Sequence, residues 1–378
     1  MKKKNNPFLL KGYISSELFC DRKREVALLF ANVQNGIDTT LISARRMGKT
    51  GLIFRFFDHL SEQGDRMAVY VDIFSSRNLS EFIKLLAEAI LRSFPDKTPV
   101  GKRFLEFIKG FRPLIGYDPL TGQPQIQINY QSAQEKEYTL QGLLNFLESQ
   151  GEPIVVAIDE FQQISEYPEK NMEALLRTYT QNLENIRFIF CGSRKAMMIN
   201  LFSNVKRPFY SSTQFLLLEE IDKAAYSQFI LDKFSGAGMT ITEEALAMVL
   251  DWSLLHTFYT QSLCNMLYYI ADNQIEIETV KLACVELLKR NEPVFYQYRQ
   301  LLTTAQWNFL IAIAKEGQVK QITAQKFIAK YEIGTPANAR RISRSLVEKE
   351  LLLEITAKKE TSYRVYDLFL ARWLENEY

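Results

Sequence analysis

The chain has 378 residues, 47% hydrophobic and 24% charged, a composition typical of a folded protein with two or three domains of roughly 150 residues each. Its 46 basic and 44 acidic side chains give a net charge of +2, so overall charge offers no argument for nucleic acid or an anionic membrane as a partner. The four isolated cysteines and two histidines lack zinc-ligand spacing, and there is no secretory signal pattern and no apolar run of about 18 residues, so we expect a cytoplasmic protein.

Short apolar runs alternate with helical patterns between residues 39 and 218. Strands are predicted at 39–42, 67–73, 153–158, 186–191 and 214–218, and helices at 50–60, 80–94 and 171–181, with Ser80 as the N-cap of the second helix. The run 153–158 is apolar throughout, as expected of a strand buried on both faces. The alternation predicts an α/β fold, with a mostly parallel sheet and helices on both faces.

Between residues 95 and 134 this rhythm breaks. Residues 114–117 and 125–130 have strand character, and Asp118-Pro119-Leu120-Thr121-Gly122 between them favours a turn. We expect a hairpin inserted into the sheet domain, which would occupy residues 1–220. The role of the insertion is open.

The second half of the chain is predicted to be mainly helical. Helices are expected at 222–234, 242–252, 258–272 and 277–290, with no strand between about residue 220 and residue 300, which indicates a small helical domain over 221–300. Further helices are expected at 304–315, at 324–330 after a Thr323 cap, and at 336–349 after a Thr335 cap. Strands 351–355 and 363–366, joined at Lys358-Lys359-Glu360, complete the outline of a winged helix-turn-helix domain over 301–378.

A candidate phosphate loop joins the first strand to the first helix. Apart from its first position, Ser43-Ala44-Arg45-Arg46-Met47-Gly48-Lys49-Thr50 fits the pattern G-x-x-x-x-G-K-[S/T]. Loop amides would hold a polyphosphate, Lys49 would reach its β- and γ-phosphates, and the Thr50 hydroxyl would ligate Mg²⁺. The residues predicted to contact nucleotide here are Arg45, Arg46, Met47, Gly48, Lys49, Thr50 and Gly51. On this motif alone, a strand-turn-helix with a basic turn is an equally good interpretation.

Two acids follow the apolar strand 153–158. In P-loop enzymes an acid at this place holds Mg²⁺, and a following glutamate polarises the attacking water, so Asp159 is the predicted metal-side acid and Glu160 the predicted general base. Acids also occur after strands for no catalytic reason. Here, however, the pair follows a candidate phosphate loop in the same sheet domain. Together the two motifs predict a site for ATP and Mg²⁺ and a slow ATPase.

Polar residues after strand 186–191 are further candidates for phosphate contact. Ser193 would touch the γ-phosphate or the attacking water, although a helix cap explains this serine as well. Arg194 is the preferred phosphate sensor, because a guanidinium pairs well with phosphate. Arg207 is a weaker candidate for an arginine finger donated to a neighbouring subunit, with an ordinary surface loop as the alternative.

These segments resemble the archaeal-type ATPase family, a STAND-like branch related to AAA+ proteins, and the resemblance covers nearly the whole chain. It is carried by Arg45-Arg46-Met47-Gly48-Lys49-Thr50, by Asp159-Glu160-Phe161-Gln162, by Arg207-Pro208-Phe209-Tyr210 and by the stretch 363–374. Residues 19–25 look like the family's G-R-E-x-E element, which would place Arg22 near the adenine. Asp21, Ser43 and Thr257 depart from the family's pattern. The resemblance implies a P-loop NTPase sheet with a helical lid and a winged helix, working as a nucleotide-driven switch.

Three hypotheses address what such a switch acts on. ATP binding and hydrolysis would rearrange the lid and winged helix toward a protein partner or a second copy of the chain. Alternatively, nucleotide would regulate DNA binding through residues 335–350, where Arg340, Arg341 and Arg344 lie on the predicted recognition helix. The 12 basic and 9 acidic side chains from Leu301 onward give only +3, and a solvated helix face is the competing interpretation. In the third hypothesis ATP is a structural ligand that is hardly hydrolysed.

Overall fold

The computed structural model describes residues 6–64, 67–357 and 360–378. The described residues divide into two compact units, one within residues 11–221 and one that combines residues 6–10 with those of 222–378. Residues 6–10, expected in the sheet domain, therefore belong to the second unit, where Phe8 is buried with its ring centroid 4.7 Å from that of Phe234. The three-domain division at 220 and 300 stays a prediction.

The first unit contains a five-stranded parallel sheet and an antiparallel hairpin. Its strands are β1 Thr39–Ser43, β2 Met67–Asp72, β3 Leu114–Tyr117, β4 Pro124–Gln127, β5 Ile154–Asp159, β6 Ile186–Gly192 and β7 Gln214–Leu218. The sheet order is β2-β5-β6-β1-β7, with every neighbouring pair parallel. The α/β fold with a parallel sheet is thus confirmed, and all five predicted sheet strands lie within about two residues of their expected bounds.

Helices cover both faces of this sheet. They are α1 Lys23–Gln34, α2 Lys49–Glu62, α3 Leu79–Ser93, α4 Pro99–Ile108, α5 Ala133–Glu148, α6 Met172–Thr180 and α7 Lys195–Ser203. Because side chains alternate along a strand, Val155 and Ala157 of β5 pack in one apolar cluster with α1 and α2, whereas Val156 and Ile158 pack in another with α3 and α5. All six residues of β5 are buried, which explains the continuous apolar run.

The insertion at 95–134 contains the expected hairpin, with β3 paired to β4. It also contains α4 and a short 3-10 helix, Lys109–Phe111, which the sequence reading missed. Strand β4 buries Pro124 and Ile126 against α3, and the Ile126 amide donates a hydrogen bond to Glu88 Oε1 of α3 at 2.9 Å. This contact fixes the hairpin to the body of the unit.

Two predicted helix caps were wrong. The N-cap of α3 lies two residues earlier than expected, because the Asn78 side chain, not Ser80, accepts the hydrogen bond from the Glu81 amide. In the second unit, the short helix expected after Thr323 has Ala324 at its N-cap and no side-chain cap.

The second unit begins with four helices: α8 Lys223–Gly236, α9 Glu243–Ser253, α10 Thr257–Ile270 and α11 Ile277–Leu301. The expectation of no strand between about residue 220 and residue 300 was wrong, since β8 Thr240–Ile241 and β9 Gln274–Ile275 form a short parallel pair. Helix α11 also continues past the predicted end at 290 and contains Pro293. Because the proline has no amide hydrogen, the carbonyl of Lys289 lacks its usual helical donor. Lys289 is exposed, so water can donate to this carbonyl instead.

The winged helix outline is confirmed at the end of the chain. Helices α12 Thr304–Glu316, α13 Gln325–Lys330 and α14 Pro336–Glu348 precede the antiparallel strands β10 Leu352–Ala357 and β11 Glu360–Val365, and helix α15 Leu368–Glu377 follows. Both wing strands are longer toward their tip than predicted; Lys358 and Lys359 of the predicted tip lie outside the described residues. Over the described parts of the chain, no helix has the length and apolarity required to cross a bilayer.

Candidate functional site

The loop between β1 and α2 has the backbone of an anion-binding concavity. Arg46 and Gly48 adopt left-handed conformations, with φ of 62° and 92°, and helix α2 starts at Lys49 directly afterwards. Turns of this kind direct backbone amides toward one point, and the helix N-terminus adds a partial positive charge. Glycine is favoured at 48 because its φ is positive, whereas Ser43, at the position where the pattern has glycine, lies in β1 without positive φ.

Lys49 joins this loop to the two acids after β5. Its ammonium lies 2.7 Å from Asp159 Oδ1 and 3.1 Å from Glu160 Oε1, and the lysine side chain is only 8% exposed. Burial alone would lower the pKa of Lys49, but the charges of Asp159 and Glu160 outweigh it and raise that pKa. The predicted phosphate lysine, metal-side acid and general base are thus in direct contact.

Asp159 also accepts two hydroxyl hydrogen bonds. Thr50 Oγ1 donates to Asp159 Oδ2 at 3.2 Å, and Tyr70 OH donates to the same oxygen at 2.9 Å. A hydroxyl beside a carboxylate is an oxygen donor set that suits Mg²⁺, which usually takes one or two protein oxygens together with water and phosphate. Sequence reasoning missed Tyr70, because its position depends on the pairing of β2 with β5, which places Asp72 beside Asp159.

Glu160 is held on its other side by two polar side chains. Ser193 Oγ donates to Glu160 Oε2 at 2.8 Å, and Gln162 Nε2 donates to the same oxygen at 2.5 Å. Burial by itself would raise the pKa of Glu160, but Lys49 and these hydrogen bonds hold it below its usual range. Gln162 is the last residue of the motif Asp159-Glu160-Phe161-Gln162, and the sequence predicted no role for it. It packs so close to Gly192 that a Cβ there would lie 2.4 Å from Gln162 Oε1.

Three other predicted residues have partners away from this cluster. Arg194 forms an ion pair with Glu166, and Arg207 pairs with Glu173 at 2.6 Å. Arg22 is buried, with its guanidinium bonded to Glu25 at 2.9 Å and to the Glu219 carbonyl at 2.7 Å.

The remaining predicted residues lie in the loop or in the first turn of α2. Met47 is buried, Arg45 is half-buried, Arg46 is exposed, and Gly51 packs beside Phe19. The structure therefore brings together Lys49, Thr50, Asp159, Glu160 and Ser193, and the nucleotide contacts of the other residues stay predictions.

Comparison with known proteins agrees with this architecture. Residues 19–252 match the family model of an ATPase domain predominantly from archaea, and residues 293–376 match a model described as a probable winged helix domain. No curated protein matches the chain.

Several solved structures have a similar fold. A Walker-type ATPase of Pyrococcus abyssi is 19% identical, with a TM-score of 0.66 over 97% of this chain and 99% of that one. The ORC2 protein of Aeropyrum pernix, solved as ADPNP-ADP complexes, is 17% identical, with a TM-score of 0.60 over 99% and 96%. The ORC1 protein of the same organism, solved in complex with DNA, is 15% identical, with a TM-score of 0.50 over 95% and 93%. At these identities the likeness concerns the fold alone: a P-loop ATPase sheet followed by a helical region and a winged helix.

Proposed function

This chain belongs to the ATPase domain family found predominantly in archaea, and from that premise we propose that it is a magnesium-dependent ATPase working as a molecular switch. The observation that carries the proposal is the position of Lys49, which bridges the phosphate loop and both acids. In such an ATPase the lysine and the loop amides hold the phosphates of ATP.

The charges at the site explain why the metal is needed. Lys49 contributes one positive charge and Asp159 and Glu160 contribute two negative ones, so both carboxylates would repel a polyphosphate held beside them unless a cation lay between. Mg²⁺ would bind through Thr50 and Asp159 and would neutralise charge on the β- and γ-phosphates. Lys49 would then be released from Asp159 to contact phosphate.

Glu160 is the group that would activate water. Its pKa is held low, so it is ionised at neutral pH and can accept a hydrogen bond from water. Ser193 and Gln162 fix its Oε2 atom, which leaves Oε1 for Lys49 or, once Lys49 turns to phosphate, for the nucleophile. Arg194 would need to leave Glu166 to act as a phosphate sensor, and because this pair is partly exposed, breaking it costs little.

A turnover assay tests this proposal. Glu160→Gln keeps the shape of the side chain but removes the base, so hydrolysis should fall by about 10²–10⁴-fold while Mg-ATP binding persists. Glu106→Gln is the matched control, an identical change at an exposed glutamate of α4 outside the cluster, and should stay close to the wild-type rate. Equal rates in Glu160→Gln and wild type would refute the base assignment. A wild type that binds ATP without turnover would instead favour ATP as a structural ligand.

The coupling of nucleotide state to an output is the further part of the proposal. The second unit supplies helices α8 to α11 and a winged helix, which would change arrangement between ATP- and ADP-bound states and so display a surface to a protein partner. Limited proteolysis of the wild-type chain in Mg-ATP and Mg-ADP should give different cleavage patterns. Identical patterns would count against a switch.

DNA binding is the second candidate output, favoured by three arginines of α14. Arg340, Arg341 and Arg344 are all exposed, and α14 is the third helix of the winged helix unit. Arg341→Ala should weaken duplex binding and reduce its salt dependence, whereas Arg290→Ala on α11 should not. Absence of salt-dependent binding by the wild type would remove this candidate.

A further inference from the structure

Gln162 is a buried side chain with only one of its two polar atoms in a hydrogen bond. It lies in the short 3-10 helix Phe161–Glu166 that follows β5, and it is 3% exposed. Its Nε2 donates to Glu160 Oε2. Its Oε1 is also buried, but no donor among the described residues reaches it. Buried polar atoms in proteins are nearly always hydrogen-bonded, so this amide oxygen is an exception.

The surroundings of Gln162 Oε1 are apolar. The oxygen lies beside Gly192 at the end of β6, where a Cβ would be 2.4 Å from it and 2.5 Å from Met198 Sδ. Met198 of α7 is fully buried in the apolar cluster on this face of the sheet. Glycine at 192 therefore leaves the space that the glutamine amide occupies. An apolar side chain of the same length would fill that space without an unpaired oxygen.

Stability alone does not account for a glutamine at this position. A buried acceptor without a donor destabilises the fold, and this cost offsets the gain from a hydrogen bond to a charged carboxylate. Reversing the amide would not help, because its oxygen would then face the ionised Glu160. Lys49 and Ser193 also donate to Glu160, so both carboxylate oxygens would keep a partner without Gln162. What the amide adds is a second donor to Oε2.

The second donor fixes the orientation of the carboxylate. Glu160 has a left-handed backbone, with φ of 54°, at the junction between β5 and the 3-10 helix. Ser193, directly after β6, donates to the same oxygen from a different element. With one donor the carboxylate can pivot about that hydrogen bond, whereas two donors from separate elements hold it in one orientation. The direction of Oε1, the oxygen that would accept a hydrogen bond from water, is then fixed as well.

On the premise that the chain is an ATPase, we propose that Gln162 is a positioning residue for hydrolysis. Its amide prevents the Glu160 carboxylate from pivoting about the Ser193 hydrogen bond, so Oε1 remains directed at the attacking water after Lys49 turns to phosphate. Gln162 acts only through Glu160 and does not contact the nucleotide. Its removal should therefore slow the chemical step and leave nucleotide affinity unchanged.

Gln162→Met in the full chain separates this role from a structural one. Methionine has nearly the same length as glutamine but lacks both the donor and the unpaired oxygen. We expect kcat for ATP to fall by about 10–10²-fold, as for a misaligned reacting group, while the dissociation constant of Mg-ATP stays within about twofold of wild type. The melting temperature should be unchanged or higher, because the buried oxygen is gone.

Gln134→Met is the matched control, the same change at an exposed glutamine of α5 whose amide donates to Tyr138. It should match the wild type in kcat, Mg-ATP affinity and melting temperature. If the wild type is active and Gln162→Met is equally active, the role of Gln162 is overturned and the ATPase proposal stands. A melting temperature or Mg-ATP affinity that falls together with kcat would assign Gln162 a structural role and overturn the proposal too.

A double-mutant cycle tests whether Gln162 acts through Glu160. Single-turnover rates are measured for Glu160→Gln with and without Gln162→Met. Once the base is absent its orientation no longer matters, so the second substitution should change the residual rate by less than about twofold. A further loss of about 10-fold would show that Gln162 acts on another part of the site, contrary to the proposal. No turnover by the wild type would instead refute the ATPase function and this role with it.

Discussion

Removal of the Lys49 ammonium should destabilise the first unit in a pH-dependent way, even without nucleotide. The lysine is 8% exposed, and its partners Asp159 and Glu160 are 4% and 18% exposed. Lys49→Ala leaves both carboxylates buried beside each other without a counter-ion. Loss of one partner from a buried ion pair lowers the free energy of unfolding by about 3–5 kcal/mol. We expect a decrease of about 3 kcal/mol here, because Glu160 retains some solvent contact.

The sign of the pH dependence follows from Glu160. Its pKa in the folded wild type is below its usual range, so it contributes stability that is present above the unfolded pKa and is lost as pH falls through the folded pKa. Lys49→Ala abolishes this contribution. The difference between variant and wild type should thus be largest near about pH 7 and should shrink as pH falls below about 4.3, the usual pKa of a glutamate, and through the lowered pKa of Glu160.

Native-state hydrogen exchange of the β5 amides measures this effect within the first unit, whatever the second unit does. Lys84→Ala is a suitable control, since Lys84 is exposed and lies 4.0 Å from Glu88, so its loss should cost less than about 0.5 kcal/mol. Adding Glu160→Gln to Lys49→Ala should recover part of the loss, because only one buried charge remains. The reasoning fails if Lys49→Ala protects β5 as well as wild type does at neutral pH, or if its deficit is unchanged at acidic pH.

Three further changes probe other parts of the first unit. Tyr70→Phe removes a hydrogen-bond donor to Asp159. Nucleotide titrations should show that the binding free energy added by Mg²⁺ falls by about 1.5–3 kcal/mol, while the binding free energy without Mg²⁺ is unchanged. A loss equal in both conditions would contradict a role in positioning that carboxylate. Burial raises the pKa of Asp38 to about 6, so its ionisation costs stability as pH rises through that value, and Asp38→Asn should raise the melting temperature above about pH 6 but not near pH 4. An equal shift at both pH values would refute this. Gly192→Ala should displace Gln162 and lower both stability and turnover, as thermal melts and the ATPase assay can check; a silent substitution would show that the close packing at this glycine does not matter.

Much of the architecture is predictable because it depends on local patterns. Strands such as β5 are buried on both faces and appear as continuous apolar runs, and the cap and proline at 335 and 336 mark the start of α14. Strands β8 and β9 were missed because two residues carry no periodicity. The end of α11 was predicted too early, because a proline usually ends a helix. This helix continues past Pro293 because the turn before the proline is exposed to water.

The site was predictable to the extent that its chemistry lies within contiguous motifs. Lys49 and the acid pair were found in this way, and the structure joins them directly. Tyr70 could not be found, because its hydroxyl reaches Asp159 only through the register of two strands that are far apart in sequence. The partners of Arg194 and Arg207 likewise depend on tertiary packing, which a phosphate-sensor or finger pattern does not contain.

Calorimetric titration of the wild-type chain with Mg-ATP is the most direct measurement of the central claim, that the amides of the loop before α2, Lys49 and a metal ion at Thr50 and Asp159 hold a triphosphate. The account predicts binding to a single site, much weaker binding when EDTA replaces Mg²⁺, and none in Lys49→Ala shown to be folded by circular dichroism. No heat from the wild type with Mg-ATP, or equal binding by Lys49→Ala, would contradict it.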